Sequence, residues 1–169
     1  MDIKGNNWYF ISNTKDDCLE LMKMFWKFHD FRVREIDYHA NQEQLDLLLE
    51  YDDKELNVVL RFSDTVRMRL LPTDDDYDNS WIFDGLLFID EEGSFVWNDG
   101  NGIPADTGTL RGTWIQSVKL QYAVVDGKGN TIEIPDRIVK RVWKEYNYHT
   151  NKWEKTIDTF HPKKLPTII

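Results

Sequence analysis

The feature that most constrains this chain is a run of period-two alternation between residues 31 and 70. Leu45, Leu47, Leu49 and Tyr51 alternate with polar positions, interrupted by Leu48. Leu56, Val58, Leu60 and Phe62 alternate again, and Val66, Met68 and Leu70 stand against Arg67 and Arg69. Successive strand side chains point to opposite faces, so this pattern builds strands with one apolar and one polar face. Turns as short as Asp52-Asp53-Lys54 and Ser63-Asp64-Thr65 make neighbouring strands antiparallel. Upstream, Phe31 and Val33 share one parity while Ile36 and Tyr38 take the other, which predicts a β-bulge near Arg34-Glu35. Together these four segments predict an antiparallel meander.

Before the meander the period is helical. Cys18, Leu21, Met22, Phe25 and Phe28, widened by Leu19 and Trp26, predict one buried helix face over 14–28. Thr14 with Asp17 three residues on resembles a capping box, and Lys23 and Lys27 suit the helix C-terminal end. Trp8 to Ser12 reads as a first strand. Beyond the meander, the apolar run Trp81–Ile89 predicts a central strand, Phe95–Trp97 a second and Thr113–Val125 a long third, with Asn98–Gly108 as an irregular loop. Asp126-Gly127-Lys128-Gly129-Asn130 turns the chain into Thr131–Ile134. Residues 136–160 read two ways: Ile138, Val139, Val142 and Trp143 are spaced for a short helix, but Tyr146, Tyr148 and Trp153 favour a hairpin over 142–157. A loosely held tail is expected from Pro162. The fold class expected is α+β, one N-terminal helix packed on a mostly antiparallel, strongly bent or barrel-like sheet, in a single domain over 1–169.

Composition narrows the function classes. The 169 residues carry a net charge of −9, a hydrophobic fraction of 41% and seven Trp, enough for a packed core without covalent staples. One Cys excludes an internal disulfide framework and a Cys-rich zinc site. No apolar run approaches the roughly 20 residues of a membrane span, and no secretory pattern opens the sequence, so a cytoplasmic protein is expected. The charge divides into −13 over residues 1–135 and +4 over 136–169. Net acidity argues against general nucleic-acid binding, which needs clustered Lys and Arg.

Site chemistry is sparse. Asp74, Asp75, Asp76 and Asp78 alternate as in a calcium loop. Asn79, however, stands where the turn wants Gly, and Gly85 stands where a bidentate Glu should close the shell. They read instead as an acidic contact surface. Asp99-Gly100-Asn101-Gly102 reads as a glycine turn, and His29, His39, His149 and His161 lack metal spacing. His29-Asp30 has no nucleophile-elbow Ser beside it. Cys18, on the apolar helix face, is expected to be buried with a raised pKa. No catalytic constellation, metal site or cofactor is expected. Tyr146, Tyr148, Trp153 and Trp143 beside Lys140, Arg141, Lys144 and Lys152 could form an exposed stacking platform, and Trp97 and Trp114 a pocket mouth. The reading favoured for most of these aromatics is core.

The stretch Phe28-His29-Asp30-Phe31-Arg32-Val33-Arg34-Glu35-Ile36-Asp37-Tyr38, the following Leu45-Asp46-Leu47-Leu48-Leu49 and the later Leu60-Arg61-Phe62-Ser63-Asp64-Thr65-Val66 resemble small, acidic, β-rich bacterial proteins. Several of those are grouped with immunity proteins of polymorphic toxin systems. The matching positions are core positions, so the resemblance carries over no binding residue. It implies a non-enzymatic protein-binding module that neutralises a basic toxin through an acidic surface. Asp74, Asp75, Asp76 and Asp78 would meet Lys and Arg, and Tyr77 or Trp81 would serve as anchor. The alternative is a small-ligand-binding barrel, or an enzyme, with an aromatic-lined pocket.

Overall fold

A computed structural model describes residues 2–51, 56–70, 81–82, 84–99 and 112–166. In chain order the elements are β1 (Tyr9–Phe10), α1 (Lys15–Met24), β2 (Phe31–His39), β3 (Gln44–Tyr51), β4 (Asn57–Ser63), β5 (Arg67–Arg69), β6 (Trp81–Ile82) and β7 (Leu86–Ile89). They continue with β8 (Phe95–Asn98), β9 (Trp114–Ser117), β10 (Lys119–Val125), β11 (Thr131–Ile132), α2 (Asp136–Val139), β12 (Lys140–Asn147), β13 (Lys152–Thr159) and β14 (Lys163–Lys164). A large antiparallel sheet runs β14-β1-β10-β4-β3-β2-β6, with β11 also on β10. A smaller one runs β5-β9-β8-β7, and among the described residues β12 and β13 pair only with each other. Mostly antiparallel β structure is therefore as expected, but the single expected helix is joined by a second, the short α2. Among the described residues no sheet closes into the expected barrel: the large sheet runs from β14 to β6, and these two strands do not pair with each other.

The bulge is where the parity change placed it: β2 and β3 shift register between Val33 and Glu35. The meander, by contrast, ends one strand early. Asp64 and Thr65 take positive φ (61° and 56°), turning the chain off the large sheet, so β5 pairs with β9 and β10 takes its place beside β4. Two long runs expected as single strands are each divided between the sheets. Residues 81–89 break at Asp84-Gly85 into two edge strands. Gly85 N–H donates to Lys27 O at 2.7 Å, and a Cβ at Gly85 would lie 3.1 Å from that oxygen. Residues 113–125 break at Val118, whose N–H turns to Asp64 O at 3.0 Å.

The helix begins as its cap predicts: Thr14 Oγ1 accepts from Asp17 N at 3.1 Å, and Asp17 Oδ2 accepts from Ser12 N at 3.1 Å. It stops at Met24 instead of reaching residue 28. Trp26, Lys27 and Phe28 lie in the left-handed region (φ 51°, 56° and 55°). This turn keeps Phe25 and Phe28 fully buried, their rings 5.6 Å apart, and swings the chain into β2, where Phe31 meets Phe28 edge-on at 5.5 Å.

The main core lies between α1, α2, the smaller sheet and one face of the large sheet, with Trp97, Phe28, Phe62 and Phe95 fully buried in it. The other face of the large sheet is apolar at its centre too. Leu48, Val59 and Ala123, neighbours across β3, β4 and β10, pack with Trp8 and Val125 under Ile3 and Leu165. Beside them Arg61 makes a bidentate pair with Asp46 (2.8 and 2.7 Å), and its guanidinium lies 3.9 Å over the Trp8 ring.

The segment from Pro162 is tied down through residue 166, contrary to expectation. β14 pairs with β1, Leu165 N donates to Trp8 O at 2.8 Å, and Lys163 Nζ meets Asp17 Oδ2 at 2.5 Å. Burial alone would raise Asp17. The hydrogen bonds from Lys163 and Ser12 outweigh it and hold the carboxyl below its ordinary range. A depressed folded-state pKa gives stability that is complete above the unfolded value, near 4, and is lost as pH falls through the folded one. Lys163→Met should therefore lower the unfolding free energy at pH 7 by on the order of 1 kcal/mol, a gap that narrows below about pH 4. A gap that stayed constant from pH 7 to pH 2 in thermal unfolding would contradict this role for the pair.

Candidate functional site

The β12–β13 hairpin is the arm of this molecule. α2 leads into it, and its root is fixed to the body by fully buried Ile138 and by Phe160, whose N–H donates to Val139 O at 2.9 Å. Arg141 strengthens the root. Its guanidinium lies 4.9 Å from both the Trp26 and Trp143 rings, and Nη1 donates to Lys23 O at the end of α1 at 2.9 Å. Burial between those rings pulls Arg141 below the ordinary arginine range, and Asp158, directly opposite on β13, works against that shift.

At the far end the turn is ordered by Asn147. Its Oδ1 accepts from His149 N at 2.9 Å and Thr150 N at 3.3 Å, while Asn151 supplies the left-handed residue at φ 53°. Asn tolerates that conformation better than most residues, since its short polar side chain can bond locally.

Register decides what each face of the arm presents. Opposite residues share a face, so Val142/Ile157, Lys144/Lys155 and Tyr146/Trp153 form three successive rungs on one side. Arg141/Asp158, Trp143/Thr156, Glu145/Glu154 and Asn147/Lys152 lie on the other. The first side is exposed: Trp153 is 68% accessible, Ile157 57% and Val142 56%, with Tyr148 at 83% on the adjoining turn. Tyr146 anchors the aromatic end, edge-on to Tyr148 at 5.1 Å and to Trp153 at 5.4 Å. No third strand pairs with either side of the arm among the described residues.

The stacking platform read from sequence is thus partly assembled. Tyr146, Tyr148 and Trp153 come together, but Trp143 stands on the opposite face with Arg141. Ile157, Val142 and Lys155 join the exposed face through cross-strand register, which local sequence could not reveal. Trp97 is fully buried in the main core and lines no pocket mouth. Asp74, Asp75, Asp76, Tyr77 and Asp78 lie outside the described residues. Trp81 stands opposite Arg32 on the edge strand β6.

Cys18 is buried as its spacing predicts, and burial, aided by Asp17, pushes its thiol up to about 11, so it is no nucleophile at neutral pH. His29 sits exposed between Asp30 (3.6 Å) and Asp84 (3.4 Å). No cluster of three or more metal-ligating side chains occurs among the described residues, and no helix there is long and apolar enough to cross a membrane. Comparison with protein-family models, curated proteins and solved structures finds no match. Chemically, the arm offers an aromatic end, a pair of ammonium groups and an aliphatic end, all facing outward. Aromatic, cationic and aliphatic groups of this kind are suited to contact with another molecule.

Proposed function

We propose that this chain is a non-enzymatic protein-binding module, acting as an immunity-type inhibitor that holds a basic toxin. The exposed side of the arm carries this reading. A two-stranded ribbon is marginally stable in water, and large apolar side chains gathered on one projecting element mark an interaction surface more often than a fold requirement. Tyr and Trp are also the side chains in which binding energy concentrates. Residues 1–135 carry −13, opposite in sign to the +4 of residues 136–169. An acidic field of that size steers a basic partner during approach, and the arm adds apolar contact once the two meet.

The acidic half of the proposal is tested by converting Asp74, Asp75, Asp76 and Asp78 together to Asn. The partner used is the protein encoded beside this one, co-expressed and captured on the tagged chain. The variant is expected to bind about tenfold more weakly at low salt and to show a flatter salt dependence. Unchanged affinity and salt dependence would remove those four residues from the interface and leave their charge a matter of solubility.

A further inference from the structure

We infer that the outward side of the arm is a receptor for a protein segment presenting one carboxylate between two apolar side chains. This rests on the protein-binding reading above and names what the arm would grip. The decisive observation is how charge is distributed over the arm. Lys144 and Lys155 are directly opposed on the outward side, and Glu145 and Glu154 are directly opposed on the other. Like charges placed opposite one another weaken a ribbon, whereas a Lys facing a Glu across the strands would strengthen it. The arm forgoes that gain twice and obtains a cationic side and an anionic side.

On the anionic side Glu154 is satisfied locally, by Asn147 Nδ2 at 3.1 Å and Thr150 Oγ1 at 2.9 Å. On the cationic side, no ion pair among the described residues involves Lys144 or Lys155. A carboxylate between the two ammonium groups would neutralise their repulsion, with Val142/Ile157 on one flank and Tyr146/Trp153 on the other. Rungs on one side of a strand are two residues, about 7 Å, apart. An extended segment with an apolar residue at i, Asp or Glu at i+2 and an apolar or aromatic residue at i+4 matches them rung for rung.

Two features favour a protein segment over a polyanion. The aliphatic rung has no counterpart in the chemistry of a phosphate backbone. The chain's net charge of −9 also disfavours a long polyanion or an anionic bilayer more than a single carboxylate.

The test uses the full chain as bait for a phage-displayed random peptide library, with Lys144→Glu as counter-bait and Lys144→Arg as control. The expected outcome is enrichment of peptides with the alternating apolar–acid–apolar pattern. Their affinity should fall at least about tenfold on Lys144→Glu and be kept on Lys144→Arg. Thermal stability of Lys144→Glu should equal or exceed that of the parent, because the introduced carboxylate would face Lys155. Lost binding then cannot be ascribed to unfolding. No enrichment, peptides lacking the acid, or peptides held equally by Lys144→Glu would overturn the inference. So would tighter binding of an oligo-dT strand or of phosphatidylglycerol vesicles than of any selected peptide. Capture of the neighbouring gene product that survives Lys144→Glu would overturn only this use of the arm. Capture of no partner by the parent chain would overturn the protein-binding reading itself.

Discussion

Phe28→Ala is expected to destabilise the protein by about 3–5 kcal/mol, the range of a large aromatic side chain removed from a packed core. Phe28 is fully buried, with ring contacts to Phe25 and Phe31 that join the end of α1 to the start of β2. Its backbone is in the left-handed region at φ 55°, which costs a residue with a Cβ roughly 1–2 kcal/mol. Phe28→Gly removes the same ring but relieves that strain, so it should be less destabilising than Phe28→Ala by about 1 kcal/mol. At an ordinary helical position the order is reversed, because Gly is there the worse residue by a similar amount. Urea unfolding of the two variants reads the difference directly. Ala costing less than Gly would mean that the helix runs through residue 28, as its apolar spacing alone predicts.

The second large effect falls on binding rather than on stability. Tyr148→Ser together with Trp153→Ser is expected to weaken partner capture by about a hundredfold, the scale of two aromatic anchors each contributing roughly 1–2 kcal/mol. Both side chains are more than two-thirds accessible, so their removal takes nothing from the main core. Loss of the Tyr146–Trp153 and Tyr146–Tyr148 contacts loosens the arm's tip, while its root stays held by Phe160, Ile138 and Arg141. The midpoint of thermal unfolding should therefore move by no more than a few degrees. Undiminished capture by the double variant would take the arm out of the interface.

Much of this architecture is legible from one sequence, and the exceptions have physical causes. Alternation identifies β2, β3 and β4, and the parity change locates the bulge, because both are local consequences of strand geometry. The helix start is legible in Thr14 and Asp17, and the hairpin in the aromatic flanks of its turn. What sequence could not supply is partnership. Residues 81–89 and 113–125 each read as one strand, since an apolar run looks the same whether it stays in one sheet or crosses to another. Gly85 and Val118 break those runs through hydrogen bonds to Lys27 and Asp64, distant in sequence. The turn that ends the helix is likewise tied to a residue distant in sequence, through Gly85 N–H and Lys27 O.

The candidate site shows the same division. Tyr146, Tyr148 and Trp153 attract notice as a cluster of aromatics. Assigning Lys144 and Lys155 to one face and Trp143 to the other requires the register of β12 on β13. The acidic residues at 74–78 stand out from composition alone, and their place relative to the arm lies outside the described residues.

The most direct test of the arm as docking surface is amide hydrogen exchange on the captured complex, compared with the chain alone. Partner binding should slow exchange across 140–159, most strongly around Tyr146 and Trp153, where a covered ribbon opens less often. Protection confined to the body, with the arm exchanging as fast in the complex as in the isolated chain, would contradict it.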